Sequence, residues 1–217
     1  MKDRSKALIE MLDGQPVIPV LRIDRLADAV PLAQALVRGG LKAIEITLRT
    51  DDAIDAIALT ATEVPDAIVG AGTILSPRDY GAATRAGARF IVSPGTTQEL
   101  LDTAHASDIP FLPGAITPSE MMSLREEGYR MMKFYPAEQA GGAPFLKSLA
   151  SPLASICFCP TGGISPANAK DYLTLPNVVC IGGSWVAPDD LIEAGKWDEI
   201  EALAREASAL RKPKAAA

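Results

Sequence analysis

AIVGAGTILSPRDYGAATRAGARFIVSPG, residues 67–95, decides the fold. It opens with a short β-rich apolar run, AIVGAGTI from Ala67, and closes with another, FIVSPG from Phe90. Between them SPRDYGAATRAGA carries a helix start: Ser76 precedes Pro77, and the first helical position is where a missing N–H costs nothing. A strand returned to a second strand through a helix gives a parallel pair with a right-handed crossover.

The alternation extends both ways. Upstream lie VIPVLRI from Val17 and AIEITLR from Ala43; downstream come PFLPGAI from Pro110, MMKFYPA from Met131, ICFCPTGG from Ile156 and VVCIGGSW from Val178. ADAVPLAQALV, TQELLDTAHA, TPSEMMSLREE and SPANAKDYL supply further helical stretches between the runs. These are eight strand signals in all, and eight βα units satisfy every strand edge when the sheet closes on itself. The expectation is an α/β protein with a single (β/α)8 TIM barrel over residues 1–211, KALIEMLDG as an extra N-terminal helix, and residues 212–217 as a disordered tail. A doubly wound open sheet also alternates, but the GxGxxG fingerprint after its first strand is missing.

Composition narrows the function. A chain of 217 residues, 48% hydrophobic, can bury one sizeable core. Its net charge of −6, without a long run of one sign, argues against nucleic acid or an anionic membrane and for a small-molecule ligand. No apolar run reaches the roughly 20 residues of a membrane span, and the start is charged and periodic, so a soluble cytoplasmic protein is expected. Cys157 and Cys159, in the strand-like ICFCP, read as reduced structural thiols.

In a parallel barrel the informative residues are polar ones within a strand or at its C-terminal end. Glu45, Thr47 and Arg49 alternate along one face of the second strand, with Ile44, Ile46 and Leu48 facing the helices. Glu45 therefore points into the barrel, where a carboxylate needs a partner or a task. An ion pair with Arg49 is awkward, because four residues of strand span roughly 13 Å and put Arg49 at the mouth. In MMKFYP, Lys133 sits among Met131, Met132, Phe134 and Tyr135. Apolar surroundings disfavour the charged form of an amine, and a neutral amine attacks a ketone. Lys133 and Glu45 together supply a nucleophile and a proton shuttle, the apparatus for carbinolamine formation, dehydration and C–C cleavage.

The remaining strand ends shape the mouth. In GAGT, Gly70 and Gly72 would let the backbone approach a ligand, with the Thr73 hydroxyl at the rim. Pro94, Pro113 and Gly114 shape the mouth without carrying chemistry themselves, and structural turns are the alternative reading of these strand ends. The seventh and eighth strands end in PTGGIS and IGGS, whose Gly162, Gly163, Gly182, Gly183 and Ser184 can present N–H and hydroxyl groups at the usual barrel phosphate site. His105, the sole histidine, lies on a helical stretch away from the strand ends; it reads as a surface residue, and no metal site is expected. Arg22, after the first strand, either reaches a substrate hydroxyl or phosphate or faces solvent.

EITLRT, VGAGTIL, SPGTT, PGAITPSE, KFYPAE, FCPTGGISPAN and IGGSW, in this order, closely resemble the bacterial 2-dehydro-3-deoxy-6-phosphogluconate (KDPG) aldolase and 4-hydroxy-2-oxoglutarate (KHG) aldolase family. The resemblance implies a class I lyase, without cofactor or metal, cleaving that phosphorylated 2-keto acid to pyruvate and D-glyceraldehyde 3-phosphate in the Entner–Doudoroff pathway, as a homotrimer. It implies Lys133 as the Schiff-base lysine and Glu45 as the acid/base acting partly through a water. Arg49 and Thr73 would hold the pyruvate carboxylate and Pro94 would line that pocket. Thr161 would contact the aldehyde part, and Gly162, Gly163, Gly183 and Ser184 the phosphate. Tyr135 stands where many relatives carry phenylalanine, and Arg22 where some carry an aliphatic residue. Cleavage of 4-hydroxy-2-oxoglutarate or of 2-dehydro-3-deoxy-6-phosphogalactonate on the same site is the alternative. A phosphosugar isomerase or epimerase, and a non-catalytic phosphosugar sensor, are the competing classes; a covalent pyruvate adduct separates the first, and turnover of a 2-keto acid the second.

Overall fold

The computed structural model describes residues 3–210; the expected tail at 212–217 lies outside the described residues. Along them run α1 (Lys6–Met11), β1 (Val17–Leu21), a 3-10 turn (Leu26–Asp28) leading into α2 (Ala29–Arg38), β2 (Ala43–Thr47), α3 (Ala53–Glu63), β3 (Ile68–Gly72), α4 (Pro77–Arg85) and β4 (Phe90–Val92). The second half continues with α5 (Gln98–His105), β5 (Phe111–Leu112), α6 (Pro118–Glu126), β6 (Met131–Phe134), α7 (Gly142–Leu149), β7 (Cys157–Pro160), α8 (Ala169–Leu173), β8 (Ile181–Gly183), α9 (Asp189–Glu193) and α10 (Trp197–Ser208).

All strand pairs are parallel. Six strands run in the order β5-β4-β3-β2-β1-β8, and β6 pairs with β7. Bridges join the two groups: Lys133 N–H donates to Pro113 O at 2.9 Å, and Thr161 is bridged to Gly182. The sheet therefore closes as a (β/α)8 barrel, as the alternation requires.

Local chemistry sets the mouth. Ser76, Thr97 and Thr117 each accept a backbone N–H from the first turn of α4, α5 and α6, and Thr117 with Glu120 completes a capping box. Each capped start ends a βα loop soon after its strand, so the loops around the opening are short and anchored.

Two apolar layers follow from the period of the strands. Ile44, Ile46, Met132, Phe134 and Phe158 pack outward against the helices. Ile18, Ala43, Phe90, Val92, Met131 and Cys159 point inward, where Leu8 and Leu12 of α1 and its C-terminal turn join them. Helix α1 thus plugs the N-terminal end of the barrel. Ser5 ties it there, its hydroxyl accepting from the N–H groups of Arg130 at 2.8 Å and Met131 at 2.9 Å. Full burial of each leucine contributes about 1.5–3 kcal/mol.

Candidate active site

Lys133 lies on β6 with Met131 on its inward face and Met132 and Phe134 on the other. Its Nζ donates to Glu45 Oε1 at 3.1 Å, and each residue is 3% exposed. The Tyr135 ring stands over the ammonium, 5.5 Å from Nζ to its centroid. The partner that an inward Glu45 requires is therefore Lys133, not Arg49.

The glycines of GAGT correct one expectation. A Cβ on Gly72 would stand 2.0 Å from Glu45 Oε1, and one on Gly70 would stand 2.2 Å from the Phe90 ring. Their missing side chains give room to protein atoms rather than to a ligand: Gly72 houses the carboxylate and Gly70 an inner-layer aromatic. Thr73 follows in a left-handed backbone, at φ 58°, where a β-branched residue is strained by about 1–3 kcal/mol. Its Oγ1 accepts from Arg49 Nε at 3.1 Å, so the two expected carboxylate-binding residues do meet at the rim.

At the C-terminal ends of the strands opens a cavity of about 580 Å³, bordered by Arg22, Arg49, Tyr135 and Thr161, by Gly162, Gly163, Gly182, Gly183 and Ser184, and by Trp185; Thr73 does not border it. Gly162 and Gly163 hold left-handed φ of 102° and 75°, a consecutive pair that glycine adopts without penalty. Gly182 and Gly183 work differently, because a Cβ on them would run into Thr161 and the Trp185 ring respectively. The Thr161 side chain is thereby packed inward, its Oγ1 buried and without a hydrogen-bond partner among the described residues. Pro94 and Gly114 border a separate groove of about 610 Å³, and Tyr135 stands between the two.

Arg22 borders the cavity while its guanidinium donates to Asp24 at 2.7 Å. His105 is not simply a surface residue: its side chain is 25% exposed, stacked on Tyr129 and 3.6 Å from Glu127. Burial drawn by the Tyr129 ring replaces the solvent exposure expected of a helical histidine. Cys157, Cys159 and Cys180 are thiols. Trp185 also borders the cavity: an aromatic at the end of an apolar run resembles core, and only its place just beyond the Gly182–Gly183 pair signals a site position.

An amine and a carboxylate in contact inside a barrel, with a cavity bordered by Arg49 and Tyr135 at the C-terminal ends of the strands, are the groups that imine chemistry on a carbonyl compound requires, and they put the molecule among the barrel aldolases. The chain belongs to the KDPG and KHG aldolase family, whose model matches residues 8–203. It is 50% identical over 207 residues to a KHG/KDPG aldolase of Escherichia coli (strain K12), covering 95% of this chain and 97% of that protein. Its backbone is similar to a KDPG aldolase from Legionella pneumophila with pyruvate captured as a covalent carbinolamine, at TM-score 0.90 and 44% identity over 92% of this chain and 97% of that one. The enzyme of Zymomonas mobilis ZM4 with 3-phosphoglycerate is equally similar, at TM-score 0.90 and 45% identity over 99% and 100% of the two chains.

Proposed function

We propose that this chain is a class I aldolase that cleaves 2-dehydro-3-deoxy-6-phosphogluconate to pyruvate and D-glyceraldehyde 3-phosphate. The observation that carries this reading is the buried contact of Lys133 Nζ with Glu45 Oε1. With its proton passed to the carboxylate, the amine attacks the C2 carbonyl; the carbinolamine hydroxyl takes that proton and leaves as water, giving an iminium and returning Glu45 to its carboxylate form. Glu45, directly or through a water, takes the proton of the C4 hydroxyl, the C3–C4 bond breaks, and its electrons enter the iminium to give an enamine. The aldehyde leaves, C3 is reprotonated, and hydrolysis of the imine frees pyruvate and Lys133.

The other side chains bind and orient. Arg49 and Thr73 hold the pyruvate carboxylate, the unpartnered Thr161 hydroxyl meets the aldehyde-derived oxygen, and Pro94, in the adjoining groove across Tyr135, closes the pyruvate side from behind that ring. Gly162, Gly163, Gly183 and Ser184 receive the phosphate, which favours a phosphorylated substrate over 4-hydroxy-2-oxoglutarate. The reaction needs no added cofactor or metal, because the protonated imine is itself the electron sink.

The catalytic domain in this reading spans residues 1–211, assembles as a homotrimer and works in the cytoplasm; no helix among the described residues is long and apolar enough to cross a membrane. Borohydride reduction with pyruvate, followed by peptide mass analysis, tests the chemistry. A pyruvate-derived adduct on Lys133 is expected, and labelling at Lys42 or Lys147 instead overturns the assignment. Sedimentation at the mass of three chains checks the assembly.

A further inference from the structure

The loop that carries Gly162 and Gly163 rests on a contact that the chemistry above leaves unused. It lies against the continuation of β6 beyond Lys133. Ala137 N–H donates to Thr161 O at 2.8 Å, and Glu138 N–H to Gly162 O at 3.1 Å. A Cβ on Gly163 would stand 2.7 Å from both Cβ and Cγ of Glu138, so the glutamate stem is the surface on which Gly163 sits. From the other side Asn168 Nδ2 donates to Gly163 O at 3.2 Å.

The Glu138 carboxylate does not border the cavity. It turns toward α8, where its Oε1 accepts from the hydroxyl of the fully buried Tyr172. Burial first, then the bond and charge of Glu138, raise the Tyr172 hydroxyl above its usual value, so it keeps its proton and keeps donating. Released from this anchor, a carboxylate on the stem under Gly163 would be free to turn toward the cradle, where its charge opposes a phosphate dianion.

We infer that Glu138, anchored by Tyr172, is a positioning residue for the phosphate end of the substrate: it fixes the backbone of Gly162 and Gly163 and keeps its own charge turned away from the anion they receive. The inference rests on the phosphate reading given above. It couples the strand that bears the nucleophile to the cradle through one side-chain pair, and it separates phosphate recognition from imine formation.

Tyr172→Phe keeps the ring and removes only the donor. With this variant the KM for the phosphorylated substrate should rise about tenfold, the scale of one hydrogen bond to a charged group. The kcat, the rate of pyruvate trapping by borohydride, and kcat/KM for 4-hydroxy-2-oxoglutarate should stay at wild-type values. Glu138→Gln retains the stem and an acceptor oxygen and should stay close to wild type. Glu138→Ala, at an exposed position, should reproduce the loss and serves in its place if the buried tyrosine variant does not fold. Equal losses on both substrates, or an unchanged KM in Tyr172→Phe and Glu138→Ala, overturn the inference. A wild-type enzyme that handles both substrates equally overturns the phosphate reading, and this inference with it.

Discussion

Lys133 Nζ and Glu45 Oε1 meet at 3.1 Å although the residues are 88 positions apart in the chain. Their strands, β6 and β2, lie on opposite sides of the closed barrel, so the bond crosses its interior. A buried pair of this kind is a poor source of stability, because desolvation of both charges offsets their attraction. In the aldolase reading its value is chemical: the proposed base touches the amine that must lose a proton.

Glu45→Gln keeps the shape and removes the base. Borohydride should still trap some pyruvate on Lys133, slowly, while exchange of the pyruvate methyl protons should fall by about 10²–10⁴-fold, the usual contribution of a positioned general base. Exchange at the wild-type rate would leave Glu45 as a structural carboxylate.

Gly70 and Gly72 are two residues apart and should fail differently. In Gly72→Ala the new methyl group displaces the Glu45 carboxylate, so kcat should fall with Glu45→Gln-like loss of proton exchange. In Gly70→Ala it strikes the Phe90 ring instead, a case of overpacking that costs about 1–3 kcal/mol and should appear in the melting temperature. Kinetics and thermal melts of both variants would show the opposite ordering if the carboxylate were free to shift.

Thr73 sits at φ 58° with its hydroxyl accepting from Arg49 Nε. Thr73→Gly should relieve that strain and leave Tm unchanged or raised, yet raise the KM for pyruvate in the condensation direction, since the hydroxyl beside Arg49 is gone. A lowered Tm with an unchanged KM would assign Thr73 to structure alone.

At the start of α6 the N–H groups of Ile116 and Thr117 both donate to Glu120 and lower its carboxyl from the usual value. A lowered folded-state value contributes stability above the unfolded value, and that contribution is lost as pH falls through the folded one. Thr117→Ala should cost about 1 kcal/mol, and Glu120→Gln should flatten the acid side of a stability–pH curve recorded by denaturant titration. An unchanged acid limb would mean that the cap is not formed in solution.

The barrel was legible because strand and helix periods alternate without interruption, and Lys133 because a charge flanked by Met131, Met132, Phe134 and Tyr135 breaks an apolar run. Glu45 stood out in the same way. That the two meet was not legible in the same detail, since which strands face each other across the interior depends on closure through the Gly114–Lys133 and Thr161–Gly182 bridges. The purpose of Gly70 and Gly72 was misread for a related reason. A glycine marks missing volume, but only the neighbouring strand tells what fills it: Glu45 is registered with Gly70 on β3, and its side chain leans two residues on to Gly72. Glu138 gave no signal, because a glutamate after a strand end looks solvated until Tyr172 of a distant helix is placed over it.

Thr161 offers the sharpest opposition between stability and activity. Its Oγ1 is buried without a hydrogen-bond partner among the described residues, although it lies beside the cavity and packs over Gly182. A buried hydroxyl left unpaired costs about 1–3 kcal/mol, a penalty that persists in a fold when a ligand supplies the missing partner. Thr161→Val fills the same volume without the hydroxyl. The unliganded variant should therefore melt higher than wild type, by an amount equivalent to about 1 kcal/mol, while kcat/KM for cleavage falls. Pyruvate trapping on Lys133 should proceed unchanged, because pyruvate lacks the aldehyde-derived oxygen that Thr161 is proposed to meet. If instead the variant melts lower and trapping slows in proportion, the hydroxyl is holding the barrel wall around Lys133, and the contact with the aldehyde half must come from another group, of which Ser184 and Tyr135 border the same cavity.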